Sequence, residues 1–558
     1  MAKAPTPGGD RPVDPAEQAE VEALCMQWFE AILAAPEDPE PLCGLARALQ
    51  DLGEHEQALA LWQQAEGLGA ATVEILMGQG KCLEQLGLDQ EGIALAERAC
   101  AADPTLAEAF RLLGFLHWRS GRCDQAEAPW RQALELEPDN PLNLINCGGV
   151  LNGLNRLDDA IAMHRQAVQL APEKMLCRIN LAITQRRLGD FAGAVETLNE
   201  ALNLEPDNPQ LRWCMGLTKL LQGDYAAAWP DFEQRFSITD PSELVADPAG
   251  RRWSGPSASR PSSLLLIGEQ GLGDMIQFCR YAPLMRRFSD RVELCVPASL
   301  HGLLGDAQLA DRVISPEQLQ EQPPQDWLPL LSTPGLLGVS VADPLVSEPH
   351  LRVDPERLER WRQRLPSGPQ RLIAINWQGN PATELLEGFR GRSMPLEALA
   401  PLAALPGIAL VSLQKGAGLE QRDACSFRHR FVEAQSEIDS QLDFAEMAAV
   451  MACCDLVVST DTVVPHLAGS LGLPVWLLLK WAPDWRWGFE GERTHWYPSL
   501  RLFRQNRAGF WQDPVERLVQ SLAAWLELHG PRPPGPWPST AKPKQEPPWP
   551  PASASPWP

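Results

Sequence analysis

The stretch that decides the fold of the C-terminal part of the chain is Asp455-Leu-Val-Val-Ser-Thr-Asp461-Thr462-Val-Val-Pro-His466-Leu-Ala-Gly469. Its apolar start predicts a buried parallel strand, whereas the four polar residues that follow do not suit a core. A helix is expected to start near His466, and the apolar run Val475–Leu479 predicts the next strand. Ligands of open α/β sheets bind at the carboxyl ends of such strands. Hydroxyl, imidazole and free helix amides together suit a phosphate group, so we predict a phosphate site here.

The size and charge of the chain limit its class. A chain of 558 residues is too long for one core, so two or three domains are expected. Its composition, 44% hydrophobic and 22% charged, is typical of a soluble globular protein. The net charge of −24 argues against non-specific nucleic-acid binding, which needs Lys and Arg side chains against phosphates.

The N-terminal segment and the cysteines predict a cytoplasmic protein. Residues 1–15 have no apolar core, so they are interpreted as disordered and not as a secretory signal. The apolar runs are too short to span a membrane. The 13 cysteines contain no CxxC pair, which favours buried, reduced thiols over a zinc site or a disulfide framework.

A period of 34 residues fills the region 16–238. One unit is marked by Gly114, Gly121, Ala126, Trp130, Ala133 and Pro138, and the same residue types recur one period before and after it. Small residues allow paired helices to approach closely, a large residue fills the gap between them, and Gly and Pro mark the turns. This pattern resembles the tetratricopeptide repeat, whose units stack into a superhelix with a concave binding groove.

Two asparagines occupy equivalent places in adjacent repeats. Asn146 and Asn180 lie one period apart on the predicted first helices. O-linked N-acetylglucosamine transferases have an asparagine ladder at this position that holds a peptide, which suggests a peptide groove here. The alternative is that each asparagine hydrogen-bonds the neighbouring helix.

A glycine loop opens a second region after a Pro- and Ser-rich linker, residues 239–262. Ser263 starts a predicted strand, followed by Gly271-Leu-Gly273-Asp274 and a helix. The spacing is not the dinucleotide fingerprint. Asp274 is either a helix cap or a general base at the carboxyl edge of a sheet. Glu269 in the same loop is interpreted as a structural carboxylate.

The remaining pattern predicts two α/β halves, 263–365 and 366–530, with the ligand site in the cleft between them. Further strands are expected at 291–296, 312–314, 371–377 and 408–413, and helices at 355–365, 396–405 and 443–454, with an irregular region at 315–354. The final stretch, 531–558, contains Pro-Trp-Pro three times and is expected to be disordered, as a passive tail or a docking segment.

Several motifs together resemble glycosyltransferase family 9, the ADP-heptosyltransferases, and especially its bacterial relatives with tetratricopeptide repeats, which are similar to O-linked N-acetylglucosamine transferases. The motifs are Gly271-Leu-Gly273-Asp274, Trp377-Gln-Gly-Asn-Pro, Arg392-Ser-Met-Pro, Ser412-Leu-Gln-Lys415-Gly and Asp461-Thr462-x-x-x-His466-Leu-Ala-Gly. The resemblance implies a GT-B fold of two Rossmann-like halves, with the nucleotide-sugar held by the C-terminal half. It also implies sugar transfer without a metal or other cofactor.

The resemblance also implies roles for single residues. Asp274 matches the acid that accepts the proton of the acceptor hydroxyl. Asp461, Thr462 and His466 match the donor-binding motif, and Arg392 stands where a phosphate-binding cation is expected.

The glycines Gly271 and Gly273 are counted with the donor-binding residues, and Lys415 is a second candidate for offsetting phosphate charge. As alternatives, His466 would be a structural histidine and Arg392 a solvated loop cation. Trp481, Trp485 and Trp487 either stack on a base or sugar or seal the interface between domains.

Two features depart from the family. Pro465 directly precedes His466, which is tolerated in the first turn of a helix, so the helix is expected to begin at or just before Pro465. Glu384, Glu387 and Phe389 occupy a loop that is usually more polar.

Three functions remain open from the sequence. The first is an inverting, metal-independent glycosyltransferase whose repeats recruit a protein acceptor. The second is a protein-binding scaffold with an inactive glycosyltransferase-like domain. The third is a heptosyltransferase that acts on an envelope saccharide.

Overall fold

The computed structural model describes residues 15–69, 72–238, 244–256, 258–384, 390–441 and 443–532, without the side chains of 15–23 and 25. The segment 1–14, the linker residues 239–243 and 257, Glu387, Phe389 and the tail from residue 533 lie outside the described residues, so the predictions made for them stay predictions. The chain divides into two compact units, with the boundary between Leu204 and Glu205.

The first unit is a series of helices, each packed on the next. They are α1 (Pro15–Ala34), α2 (Pro39–Asp51), α3 (His55–Gly67), α4 (Val73–Gln85), α5 (Asp89–Ala102), α6 (Ala107–Arg119), α7 (Cys123–Leu136), α8 (Pro141–Gly153), α9 (Leu157–Leu170), α10 (Met175–Leu188) and α11 (Phe191–Leu204). The period of the sequence therefore corresponds to one helix pair, as the repeat prediction requires.

The turn inside each pair explains why the period contains glycine. Residues with positive φ occur at Gly53, Gly87, Gly121, Asn155, Gly189 and Gly223. L side chains avoid this region, so glycine fits it, and asparagine is among the few alternatives. The register predicted from the sequence is thus confirmed at the backbone.

The alternation of small and large residues has an equally direct cause. A Cβ on Gly114 would lie 2.6 Å from Cδ1 of Trp130, and one on Gly148 would lie 2.2 Å from Nε2 of His164. Both aromatic side chains are buried. The large residue of the second helix therefore occupies the space that the glycine of the first helix leaves free.

The second unit starts with helices and continues with two sheets. Its first helices are α12 (Pro209–Gln222), α13 (Tyr225–Phe232) and α14 (Arg235–Ile238). Its strands are β1 (Ser263–Ile267), β2 (Arg291–Cys295), β3 (Arg312–Ile314), β4 (Asp326–Pro329), β5 (Arg371–Asn376), β6 (Ile408–Ser412), β7 (Leu456–Thr460), β8 (Val475–Leu479) and β9 (Leu500–Arg504). The first sheet has the order β3-β2-β1-β4 and the second β6-β5-β7-β8-β9. All their pairings are parallel, which confirms a parallel α/β region.

The helices of this region separate consecutive strands, as parallel pairing requires, except between β8 and β9, where the only helical segment is the 3-10 turn Trp485–Trp487; the last helix follows β9. They are α15 (Leu272–Phe278), α16 (Ala282–Met285), α17 (His301–Ala307), α18 (Pro316–Leu319), α19 (Thr333–Leu337), α20 (Pro355–Arg364), α21 (Pro381–Glu384), α22 (Ala400–Ala403), α23 (Glu420–Ala424), α24 (Gln435–Ser440), α25 (Phe444–Ala452), α26 (Val463–Ser470) and α27 (Gln512–His529). Strands β1 and β7 lie inside their sheets and are almost fully buried.

Some expectations about single elements were wrong. The region 315–354 is not irregular throughout, because it contains α18, β4 and α19. Strand β4 is short and ends in Pro329, which hides it from a pattern search. Strand β9 was not predicted. The helix expected at 396–405 is a 3-10 turn, Leu396–Leu399, followed by α22.

The helix α13 is built into the α/β region. The ring of Trp485 lies 5.7 Å from Tyr225, 5.9 Å from Trp229 and 6.1 Å from Phe232, measured between centroids. Next to it, Arg235 pairs with Glu269 at 2.9 Å, and both side chains are buried. The helices α12–α14 therefore share a core with the sheets.

Candidate functional site

The two polar segments predicted to carry function meet where α15 packs on α26. Helix α15 follows β1 of the first sheet, and α26 follows β7 of the second. A Cβ on Gly273 would lie 2.9 Å from Cδ2 of His466 and 3.5 Å from Cα of Val463. The missing side chain of Gly273 therefore allows the two helices to touch.

The carboxylate of Asp274 is bonded at both oxygens. Oδ2 accepts a hydrogen bond of 2.9 Å from the amide of Gly271, at the start of the same helix. Oδ1 accepts one from Nη2 of Arg486, and the Asp274 side chain keeps 20% of its surface exposed. Burial raises the pKa of Asp274, and Arg486 opposes this rise. Asp274 thus bonds the start of its helix, as the capping interpretation expects; its proton-accepting role stays a prediction.

Arg486 is the residue that the sequence analysis missed. It lies in a 3-10 turn, Trp485–Trp487, and its side chain is only 7% exposed. Its Nε donates to Oε1 of Gln277 at 2.8 Å, and Nη1 donates to Oδ1 of Asp484, also at 2.8 Å. Burial disfavours its charge, but Asp274 and Asp484 raise its pKa above the ordinary value. An arginine flanked by two tryptophans and preceded by an aspartate was the available signal.

Asp461 belongs to the same group of charges. Burial and then Asp484 raise its pKa to about 6, against the opposing influence of Arg392, Trp487 and Arg486. Arg392 lowers the pKa of Asp274 as well, so it lies near both carboxyl groups. The structure therefore brings Asp274, Asp461, Arg392 and Arg486 into one group of charges.

The side chain of Arg392 packs against the backbone at Gly379. A Cβ on Gly379 would lie 2.8 Å from Nη2 of Arg392. The Nε atom lies 3.8 Å from Oε1 of Glu384, and the side chain is mostly buried. The interpretation of Arg392 as a solvated loop cation is thus wrong.

Thr462 follows β7 and hydrogen-bonds the end of the neighbouring strand β5. It is the N-cap of α26, where its hydroxyl accepts from the amide of Val464 at 3.2 Å. The same hydroxyl donates to Oδ1 of Asn376, the last residue of β5, at 2.9 Å. Helix α26 begins at Val463, two residues before Pro465, so Pro465 lies in the first turn, where its ring is tolerated.

His466 is a neutral, packed imidazole. Its Nδ1 lies 3.0 Å from the hydroxyl of Tyr497, and its ring lies 5.1 Å from that of Trp487. Burial lowers its pKa well below 6.5, and Arg486 and Arg280 add to this. Any contact with an anion would therefore be a neutral hydrogen bond.

The side chain of Lys415, which follows β6, contacts residues other than those around Asp274. Its Nζ donates to the carbonyl of Ile438, and burial lowers its pKa while Asp439 opposes that change. These partners belong to α24 and its flank, so the structure does not join Lys415 to the group around Asp274.

The two asparagines of the repeats lie in the first unit. Asn146 is half-buried on α8, and Asn180 is half-buried on α10. Asn180 donates its amide to the carbonyl of Leu176, 2.9 Å away in its own helix. This amide therefore bonds its own helix, in contrast to the alternative of a bond to the neighbouring helix, and a role in peptide binding stays a prediction.

The tryptophans are partly explained by packing. Trp485 is buried against α13, and Trp487 is buried against His466 and Tyr497. Trp481 is half-buried and contacts Phe489, with ring centroids 5.8 Å apart. Trp485 thus packs between the preceding helices and the α/β region, as the sealing interpretation expects, whereas Trp487 packs on residues of its own half.

The described residues contain no group of three or more His, Cys, Asp or Glu side chains placed to hold a metal ion. Within the same residues, no helix combines the length and apolar character that crossing a membrane requires.

Two known families match separate regions of the chain. Residues 43–107 and 112–174 match one profile of the tetratricopeptide repeat, and residues 151–213 match a second. Residues 408–478 match glycosyltransferase family 9 (heptosyltransferase). The chain carries tetratricopeptide repeats and a segment similar to glycosyltransferase family 9. That family 9 segment runs from β6 into β8 and contains Asp461, Thr462 and His466, while Asp274 and Arg486 lie outside it.

Two curated proteins resemble parts of this chain. Protein FlbA of Caulobacter vibrioides is 28% identical over 323 residues, which are 53% of this chain and 52% of FlbA. The human protein O-mannosyl-transferase TMTC1 is 25% identical over 119 residues, 21% of this chain and 14% of TMTC1. The chain therefore spans about half of the first relative and a small part of the second.

Solved structures resemble parts of the chain as well. YrrB, described as a TPR protein with an unusual peptide-binding site, is 22% identical with a TM-score of 0.30, covering 34% of this chain and 96% of YrrB. A tetratricopeptide repeat protein from Parabacteroides merdae is 16% identical with a TM-score of 0.36, covering 41% of this chain and 90% of that protein. MamA from Desulfovibrio magneticus RS-1 is 19% identical with a TM-score of 0.30, covering 30% of this chain and 96% of MamA.

Proposed function

We propose that the chain is a glycosyltransferase that transfers a hexosyl or heptosyl group from a nucleotide-sugar to an acceptor hydroxyl. One observation carries the proposal: Asp274 and the Asp461-Thr462-His466 motif follow strands of two different parallel sheets, yet meet where α15 packs on α26. The family 9 match of residues 408–478 and the likeness to an O-mannosyl-transferase support sugar transfer as the chemistry.

The proposed architecture is GT-B, with the donor held by the C-terminal half. The positive end of the α26 dipole lies at its start, which suits a diphosphate. Arg392 lies nearby and its guanidinium is able to bond a phosphate at two points. In the proposal, these groups and not a metal ion offset the diphosphate charge.

In the proposed mechanism, Asp274 accepts the proton of the acceptor hydroxyl. The acceptor oxygen attacks the anomeric carbon, the bond from that carbon to the diphosphate oxygen breaks, and the sugar inverts its configuration. Burial, which raises the pKa of Asp274, makes its carboxylate a better proton acceptor. The leaving diphosphate is stabilised by Arg392 and the positive end of the α26 dipole, with a neutral hydrogen bond from His466.

The repeats supply the partner site in this proposal. Stacked tetratricopeptide repeats form an extended concave surface that suits a peptide or protein. We propose that they recruit a protein acceptor or partner, with Asn146 and Asn180 in the groove, and that the enzyme acts in the cytoplasm. The described cysteines are free, buried thiols, which supports a reducing compartment.

The test is nucleotide binding followed by transfer. Calorimetry with ADP, UDP and GDP identifies the nucleotide, and transfer or donor hydrolysis is then measured with the matching sugar donors. We expect Asp274→Asn to keep nucleotide affinity and to lose transfer by at least about 100-fold, since general-base removal typically costs that much. The matched control is Asp290→Asn, because Asp290 lies in the same unit with 73% of its side chain exposed. Absence of binding at millimolar nucleotide would favour the scaffold hypothesis.

A further inference from the structure

Arg486 holds helix α15 at two points. Its Nη2 bonds Asp274 in the first turn, and its Nε bonds Gln277, which lies one turn later and is fully buried. The rigid fork of an arginine fixes the distance and angle between these two bonds. Together with the amide of Gly271 on the other carboxylate oxygen, this arrangement leaves Asp274 one orientation.

The turn that carries Arg486 is itself held on two sides. Asp484 caps it, accepting from the backbone amide of Arg486 at 3.0 Å and from Nη1 at 2.8 Å. Trp487 packs against His466 of α26. Trp485 packs against the aromatic residues of α13, and α12 also contacts this turn. The position of Arg486 is therefore set by the last helix pair before the sheets.

We propose that Arg486 is a positioning residue that holds the Asp274 carboxylate for proton transfer, and that helices α12–α13 hold Arg486 in place through Trp485. The proposal rests on the proposed function. In this proposal, the pair α12–α13 helps to position the residues of the site, in addition to any role of the repeats in binding proteins.

The charges around Asp274 give the direction of the effect. Arg486 and Arg392 favour its ionised form, whereas Asp484 disfavours it. His466 faces α15 from α26 as a neutral group, and Asp461 adds a further carboxyl group near the same arginines. Removing Arg486 takes away the larger favourable charge, so the pKa of Asp274 rises and its carboxylate is free to turn.

The first experiment compares the full chain with its Arg486→Met and Arg486→Lys variants. For Arg486→Met we expect kcat to fall about 100-fold, the effect expected of a misplaced catalytic group, with the KM for the donor little changed. The acidic limb of the rate profile should move to higher pH. Lysine keeps the positive charge but lacks the planar guanidinium. For Arg486→Lys we therefore expect a smaller shift of the acidic limb than for Arg486→Met, but a similar loss of kcat.

A second readout does not depend on activity. The infrared signal of the Asp274 carboxyl, identified as the difference between the wild type and Asp274→Asn, is titrated with and without Arg486→Met. A rise in the pKa of Asp274 supports the proposal. A pKa and a kcat equal to the wild-type values in a folded Arg486→Met or Arg486→Lys protein overturn it. Arg260→Met is the control, because Arg260 pairs with Asp290 in the same unit but is 53% exposed.

The role of α13 is tested with Trp485→Leu, whose folding is checked by circular dichroism. We expect kcat to fall while nucleotide affinity stays near the wild-type value; an unchanged kcat overturns this half of the proposal. If Arg486→Met does not fold, Arg486→Lys and Trp485→Leu decide the outcome. Should the wild type neither bind a nucleotide nor transfer a sugar, the proposed function fails, and the infrared titration still reports separately whether Arg486 controls Asp274.

Discussion

Gly273 lies directly against the imidazole of His466, so that a Cβ atom on Gly273 would be 2.9 Å from Cδ2 of that ring. This is the point where the segments after β1 and β7 touch. His466 is itself fixed, by Tyr497 on Nδ1 and by Trp487 beside the ring. The ring therefore has little room to move, and the contact tolerates no added atom without a shift of a helix.

The first prediction concerns that contact. Gly273→Ala should lower the stability of the second unit by about 1–3 kcal/mol, the usual cost of overpacking, and should reduce transfer because α15 carries Asp274. Thermal unfolding and a transfer assay measure the two effects. Gly305→Ala is the matched control, since Gly305 also lies in a helix but has nothing within 4 Å of its Cβ position. That control should unfold at the same temperature as the wild type or higher; equal behaviour of the two variants would contradict the prediction.

The second prediction concerns His164, which is fully buried between the helices of its repeat. Its Nδ1 lies 2.8 Å from Oγ1 of Thr184, and burial lowers its pKa to about 4. Because the unfolded histidine titrates near 6.5, the unfolded chain binds the proton more readily between these values. Stability from this site is therefore fully present above about pH 6.5 and is lost as the pH falls toward 4, by up to about 3 kcal/mol.

The measurement is the change in melting temperature of the repeats between pH 7.5 and pH 4.5. His164→Leu should show a smaller change than the wild type, and leucine is suitable because Leu198 occupies the equivalent place one period later. The exposed His429 supplies the control variant, His429→Leu. An acid sensitivity of His164→Leu as large as that of the wild type would refute the assignment.

The third prediction concerns Asp461, whose pKa is raised to about 6. Here the folded chain holds the proton more tightly than the unfolded chain, so stability falls as the pH rises from about 4 to about 6. Asp461→Asn should remove this penalty and unfold at a higher temperature than the wild type at pH 7.5, by an amount corresponding to about 3 kcal/mol. Below about pH 4 the two proteins should unfold alike. A lower melting temperature of Asp461→Asn at pH 7.5 would contradict the electrostatic account.

The fourth prediction concerns the buried pair Arg235 and Glu269. Glu269 also accepts from the amide of Leu331 at 2.9 Å, so its carboxylate joins α14, the end of β1 and the segment after β4. Arg235→Met alone should destabilise the second unit by about 3–5 kcal/mol, because it leaves a buried charge unpaired. Replacing both residues with Met should recover much of that loss. Urea unfolding of both variants tests this, and additive losses would contradict it.

Much of the fold follows from local patterns in the sequence. The repeats were predictable because one period holds the turn glycines and the pairs such as Gly114 and Trp130 in register. Strand β8 was predicted at its exact bounds, because five apolar residues precede a polar end. Strand β4 was missed because four residues ending in proline resemble a loop.

The site was predictable only in part. Asp274, Asp461 and His466 were singled out because they follow the carboxyl ends of strands, where ligands of open α/β sheets bind; the structure brings their segments together, and their roles stay predictions. Arg486 was not found, because its partners Asp274 and Gln277 lie more than two hundred positions earlier and only the tertiary fold joins them. Lys415 occupies a strand end as well, but its side chain turns to the carbonyl of Ile438, which no local pattern specifies.

The boundary between the two compact units falls at Leu204 and Glu205, inside the repeat array and before α12. We therefore expect the repeats before that boundary to tolerate insertion or deletion, and the pair α12–α13 to be required by the sheets. A shortened protein that begins after Ile238 would lack the aromatic side chains of α13 that contact Trp485. Comparisons of repeat number among relatives should therefore count only the helices before Leu204 as variable.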